Sequence, residues 1–222
     1  MAFAATALMG LQFQASAQLL GTAGSYAALG GSTVTNTGPT VLTGNLGVWP
    51  GTSITGFPPG IVVSGTTHAG DAAAHQAQID LTTAYNTIAG ESVTQTLTGS
   101  DLGSRTLTPG VYFFSSSAQL TGTLILNAQN NPNARFDFQI GSTLTTASNS
   151  AVQLINGADG CNVYWQIGSS ATLGTTTSFN GNLMALTSIT MNTGATIANG
   201  SALARNGAQW RGDIRFKYYC HL

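Results

Sequence analysis

This 222-residue chain predicts a mainly β fold, a β-solenoid with one long α-helix packed alongside it. Three observations carry that reading: a repeat of about twenty residues, alternation of apolar with Thr, Ser or Asn side chains inside each repeat, and one Ala-rich segment with helical spacing. The length suits one domain with a full core.

The repeat is clearest from residue 111 onward. Residues 111–115 (VYFFS) are followed by 117–123 (SAQLTGT), 136–140 (FDFQI) by 141–146 (GSTLTT), 163–167 (VYWQI) by 168–174 (GSSATLG), and 181–185 (GNLMA) by 187–192 (TSITMN). A weaker copy starts at 200–204 (GSALA), and residues 44–48 (GNLGV) with 52–55 (TSIT) give the pattern ahead of the others. Starts lie roughly 18 to 27 residues apart, the period of a solenoid coil rather than of a propeller blade. Each copy reads as an aromatic or aliphatic strand, a Gly/Ser turn, then a strand of alternating character. Side chains alternate across a strand, so Leu120, Leu144, Leu173, Ile189 and Met191 should point inward. Ser53, Thr55, Gln119, Thr121, Thr143, Thr145, Thr172, Gly174, Ser188, Thr190 and Asn192 should then face out.

Residues 71–89 (DAAAHQAQIDLTTAYNTIA) break the β pattern. Asp71 suits an N-cap and Gly90 a C′ position, and Ala74, Ala77, Leu81, Ala84, Tyr85 and Ile88 share one side at helical spacing. About 19 residues at 1.5 Å span roughly 28 Å, close to the roughly 29 Å of six coils stacked about 4.8 Å apart. The helix should therefore cover one whole side of the stack.

Composition narrows the function. Only 6% of residues are charged, against roughly 25% in an average soluble domain, so neutral hydroxyl and amide groups must cover the surface. A formal net charge of -1 offers no basic field for nucleic acid or an anionic membrane, and no later stretch reaches the length of a membrane span. Residues 1–17 (MAFAATALMGLQFQASA) read as a signal peptide with small residues at Ala15 and Ala17, although no Lys or Arg precedes the apolar run. A secreted, extracellular, monomeric protein is expected. In an oxidising compartment Cys161 and Cys220 are able to pair, while Cys161, just after Asp159 and Gly160, equally suits a buried free thiol.

The outward Thr and Ser residues are the main functional candidate. Ordinary exposed strands carry charges for solubility and to block edge pairing, and these carry almost none. Coils about 4.8 Å apart with alternate side chains about 6.6 to 6.8 Å apart make a rigid lattice of methyls and hydroxyls, close to oxygen spacings on ice. The remaining motifs are weaker. His68 and His75 are seven residues apart but lack a third metal ligand, and the acids Asp71, Asp80, Glu91, Asp101, Asp137, Asp159 and Asp213 are scattered, better suited to caps and turns than to paired catalysis. Residues 211–213 (RGD) match an integrin-binding tripeptide by chance length. Asn199 heads a glycosylation sequon, and a glycan near the lattice would obstruct it. No catalytic residue, cofactor or metal is implied.

Residues 20–26 (LGTAGSY), 44–48 with Pro50 and Gly51, 55–57 (TGF), 111–113, 162–169 (NVYWQIGS) and 202–207 (ALARNG) together resemble the microbial ice-binding proteins with a discontinuous β-solenoid. The resemblance implies a right-handed triangular stack of about six coils with a flanking helix, one flat face of which binds the surface of ice. The outward residues named above match that face. The likeness runs over residues 18–208. Residues 209–222 (QWRGDIRFKYYCHL) depart from it as an atypical tail.

Two other functions fit a solenoid. A pectin-lyase-like enzyme would need clustered acids and a basic residue in a cleft, which the scarcity of charge disfavours. A non-catalytic adhesin would use exposed aromatics as a sugar platform, and the Thr-bearing strands have none.

Overall fold

The computed structural model describes residues 19–212 and 214–217; the signal peptide expected over residues 1–17 lies outside them. The chain begins with two turns of solenoid: β1 (Tyr26–Gly30), β2 (Thr33–Asn36) and β3 (Val41–Thr43), then β4 (Asn45–Val48), β5 (Ser53–Thr55) and β6 (Ile61–Val63). β7 (Thr67–Ala69) opens another turn, which α1 (Ala72–Ala89) interrupts. After β8 (Gln95–Thr96) and β9 (Arg105–Leu107) come five further turns: β10 (Gly110–Phe114), β11 (Ala118–Leu120) and β12 (Thr123–Asn127); β13 (Phe136–Ile140), β14 (Leu144–Thr146) and β15 (Ala151–Ile155); β16 (Val163–Ile167), β17 (Ala171–Leu173) and β18 (Ser178–Asn180); β19 (Asn182–Ala185), β20 (Ser188–Met191) and β21 (Thr196–Ala198); and β22 (Ala202–Ala204), β23 (Gly207–Trp210) and β24 (Arg215–Lys217).

Three parallel sheets result. The first runs β7-β4-β1-β22-β19-β16-β13-β10-β8, the second β11-β14-β17-β20-β23-β2-β5, the third β6-β3-β24-β21-β18-β15-β12-β9. Seven turns among the described residues therefore supply all three sheets, one more than the repeat suggests. The additional turn is the first, and it is out of sequence order: β1 lies between β4 and β22, β2 between β5 and β23, β3 between β6 and β24. The chain thus starts inside the stack, builds to one end, and α1 carries it back along the side to the other end.

Residues 207–210 and 215–217 belong to the stack rather than to a tail. β23 pairs with both β20 and β2, and β24 with both β21 and β3. Alternation turns Trp210 and Phe216 inward, where both are buried and pack edge to face. The bulky side chains that make this segment look atypical fill the core at the junction between first and last turns.

The core between the sheets is a column of aligned apolar residues. Tyr112, Phe138 and Trp165 are in register and stacked, with Phe138 and Trp165 ring centroids 3.8 Å apart at 6°. Leu120, Leu144, Leu173, Ile189 and Met191 are all fully buried beneath the second sheet.

The helix covers the outer face of the first sheet. Ala77, Leu81, Ala84, Tyr85 and Ile88 pack on Leu29, Tyr164, Met184 and Leu203, which is why the strands of that sheet are buried on both faces. Asp71 is the N-cap, accepting from the Ala74 N–H at 2.9 Å. Gly90 departs from expectation: its φ of -91° is right-handed, not the left-handed C′ conformation. The last carbonyls are satisfied another way, since the buried Gln139 Nε2 donates to the Ile88 and Glu91 carbonyls at 2.7 and 2.9 Å. Beside it Arg135 bonds both Glu91 and the buried Asp137. Burial, with the neighbouring Glu91 carboxylate adding to it and Arg135 opposing, raises the Asp137 pKa to about 7.

Candidate functional site

The outer face of the second sheet arranges its side chains in columns, because parallel pairing without a register shift stacks equivalent residues of successive turns. One column is continuous through seven turns: Gln119, Thr145, Thr172, Thr190, Gln209, Thr35 and Thr55 are paired in that order. A second lies two residues earlier along each strand, where Ser188, Gly207, Thr33 and Ser53 are in register. It is extended by Ser117, Thr143 and Ser170, for Thr143 donates to the Ser117 hydroxyl at 2.8 Å and the Ser170 and Ser188 hydroxyls are 3.0 Å apart. Neither column contains a charged side chain.

These columns bring together eight of the sequence-predicted residues: Ser53, Thr55, Gln119, Thr143, Thr145, Thr172, Ser188 and Thr190. Thr121 and Asn192 sit at the rim past the strand ends, in line with the exposed Arg211, and the Thr121 N–H is held by Asp101. Gly174 does not belong to the surface. It is buried, and a Cβ there would lie 2.6 Å from the Thr146 carbonyl oxygen, so alternation carried one residue past the end of β17 misplaces it. Sequence reasoning missed Thr33, Thr35, Gln209, Ser117 and Ser170. The Thr-Val-Thr alternation at residues 33–35 was the available signal for the first two.

Charge is confined to the rim. Burial would raise the pKa of Asp101, but accepting from the Gly103 and Thr121 N–H groups holds it below the usual carboxylate value.

The other candidate motifs are engaged elsewhere. His68 Nδ1 lies 2.8 Å from Asp71 Oδ2, while the His75 ring stacks on Trp49 at 3.9 Å. Among the described residues no three His, Cys, Asp or Glu side chains come together in a metal-binding group. Asp80 is tied to the Thr22 N–H and hydroxyl at 2.7 and 2.6 Å, Asp159 accepts from the Cys161 N–H, and Glu91 and Asp137 are paired through Arg135 under the helix end. The acids serve as caps and ties. Cys161 is buried and held in a disulfide, while Cys220 lies outside the described residues, as does Asp213 of the RGD tripeptide. Asn199 follows β21, on the third sheet's side of the molecule, and Ser201 of its sequon is buried with its hydroxyl on Asn182 Oδ1. A glycan there would not cover the hydroxyl columns. No helix among the described residues is long and apolar enough to cross a membrane.

Known proteins share this architecture. The family model described as ice-binding-like matches residues 28–209. An ice-binding protein of Nostoc sp. (strain HG1) is 62% identical over 194 residues, covering 87% of this chain and 71% of that protein. The crystal structure of an ice-binding protein from an Antarctic biological consortium superposes with a TM-score of 0.85 at 45% identity, over 97% of this chain and 96% of that one. A second, from the Antarctic ascomycete Antarctomyces psychrotrophicus, gives a TM-score of 0.85 at 39% identity, over 88% and 95%.

Proposed function

The chain belongs to the ice-binding-like family, and from that premise we propose that it adsorbs to ice through the second sheet, producing thermal hysteresis and inhibiting recrystallisation. The observation that carries this reading is the unbroken, uncharged column from Gln119 to Thr55, five of whose seven members are Thr. A Thr offers a methyl and a hydroxyl held in a narrow choice of rotamers. Repeated at about 4.8 Å across the strands and about 6.6 to 6.8 Å along them, these groups order water in a pattern that merges with the crystal. A charged group would instead organise its own hydration shell. The function needs no catalytic residue and no cofactor.

The site residues are those of the two columns, with Thr121 and Asn192 as rim contacts. We further propose that the protein acts as an extracellular monomer after removal of residues 1–17. N-terminal sequencing of exported protein tests the cleavage, and sedimentation tests the monomer.

The test of function is a single ice crystal held in purified protein. A gap between melting and freezing points with faceted or burst growth is the expected result. No gap, from protein shown folded by circular dichroism, would reject ice binding and favour a surface-adhesion module.

A further inference from the structure

At the edge where the first sheet turns into the second, three neighbouring turns carry very different residues at equivalent positions. The pairings Gly30 with Val48 and Leu29 with Leu203 bring Trp49, Gly31 and Arg205 side by side. Gly31 must lack a side chain, since a Cβ would lie 2.1 Å from the Arg205 carbonyl oxygen. An indole and a guanidinium therefore face each other across a gap of two strand spacings, about 10 Å between backbones. Helix α1 closes the side with Gln78, Ile79 and Thr83, leaving a slot of about 330 Å³.

The chemistry of this slot is lopsided. Trp49 is stacked on His75, which fixes the plane of the indole. Among the described residues no carboxylate pairs with Arg205. No acid lines the slot. The Thr83 hydroxyl donates to the Ile79 carbonyl at 3.1 Å, leaving its oxygen to accept from a ligand hydroxyl. An aromatic plane, a free guanidinium and hydroxyl acceptors suit a ring with an apolar face, a carboxylate and several hydroxyls.

We propose that this slot binds a uronic-acid unit of an acidic polysaccharide. The pyranose ring lies against Trp49, and its carboxylate takes the two-pronged hydrogen bond that guanidinium geometry favours. A neutral sugar would gain only the ring contact, and a simple anion only the charge. The slot lies beside the second sheet without covering it, so a bound matrix polymer would anchor the molecule with its hydroxyl columns exposed.

The test is a titration of the full chain with trigalacturonate, maltotriose and acetate, following the Trp49 indole N–H by NMR. Trigalacturonate should give a saturable shift, with the other two at least about tenfold weaker, the effect of losing one charge-assisted contact. Arg205→Gln should weaken trigalacturonate binding by a similar factor with thermal hysteresis unchanged, and Trp49→Leu, followed by isothermal titration calorimetry because it lacks the indole N–H, should do the same. A Trp49 signal indifferent to trigalacturonate, acetate binding as tightly as the uronate, or full affinity in Arg205→Gln would each overturn the assignment.

Discussion

The second and third sheets are built from the same turns, with the same parallel pairing, and share one core, yet their outer faces differ in kind. On the second sheet one column reads Gln, Thr, Thr, Thr, Gln, Thr, Thr. On the third, the pairings of Thr106, Ile125 and Gln153, and those of Asn180 with Ala198 and Thr43 with Val63, mix apolar, amide and hydroxyl groups. Arg215 is exposed there, as are Ile61 and Val63 on the terminal strand β6. Backbone regularity is therefore common to both faces and cannot by itself select ice. What distinguishes the second sheet is uniform chemistry imposed on that regularity.

The largest effect should come from breaking that uniformity. Thr190→Tyr or Thr145→Tyr, near the middle of the column, should abolish thermal hysteresis, because a phenol standing above the plane holds every neighbour off the crystal. Gln153→Tyr, exposed on the third sheet, should leave it unchanged. Osmometry on all three, with circular dichroism to show the fold intact, decides the matter. Loss in Gln153→Tyr alone would assign the active face to the third sheet.

A smaller effect in the opposite direction is expected from completing the lattice. Gly207 leaves a gap between Ser188 and Thr33, and a Cβ there meets nothing nearer than 3.7 Å. Gln209 interrupts the Thr column between Thr190 and Thr35, with an exposed side chain. Gly207→Ser with Gln209→Thr should raise hysteresis at equal concentration by a moderate factor. A fall would mean that the amide, not the hydroxyl, matches the ordered water at that point.

These two positions also show where sequence reasoning stops. Strand alternation and helix spacing are local, so the inward Leu120 and Leu144, the outward Thr145 and Thr190 and the bounds of α1 were legible. The insertion of the first turn between the second and the last is not, since parallel pairing joins Thr35 to Gln209 across most of the chain and no short-range pattern encodes it. Thr33 and Thr35 follow the strand YAALG, whose single aromatic, Tyr26, stands at its first position rather than within the strand as in the later copies. Gln209 stands next to Trp210, whose bulk suggests a tail until Phe216 of the same turn and Phe57 of the second turn are seen to be its packing partners.

A glycan at Asn199 probes the comparison with a still smaller expected effect. Its place beside the third sheet predicts the same hysteresis for glycosylated and enzymatically deglycosylated protein. A rise on deglycosylation would show that this side also approaches the crystal.

The least change of all is expected from pH on the hydroxyl face, and there stability and activity should separate. Asp101 at the rim, its pKa held low by two N–H donors, keeps its charge above about pH 5, and the columns themselves carry no titratable side chain, so hysteresis should be flat from about pH 5 to pH 9. Stability should not be. With the Asp137 pKa raised to about 7 in the folded protein, the fold favours its protonated form. That contribution is complete below about pH 4, the unfolded value, and is lost as pH rises towards 7. Replacing Asp137 with Asn removes the titration, while the change in its contact with Arg135 shifts stability by an amount that does not vary with Asp137 protonation. The melting temperature of Asp137→Asn minus that of the unsubstituted protein should therefore climb between pH 4 and pH 8, by on the order of a few degrees. A difference constant with pH would mean that Asp137 is ionised throughout.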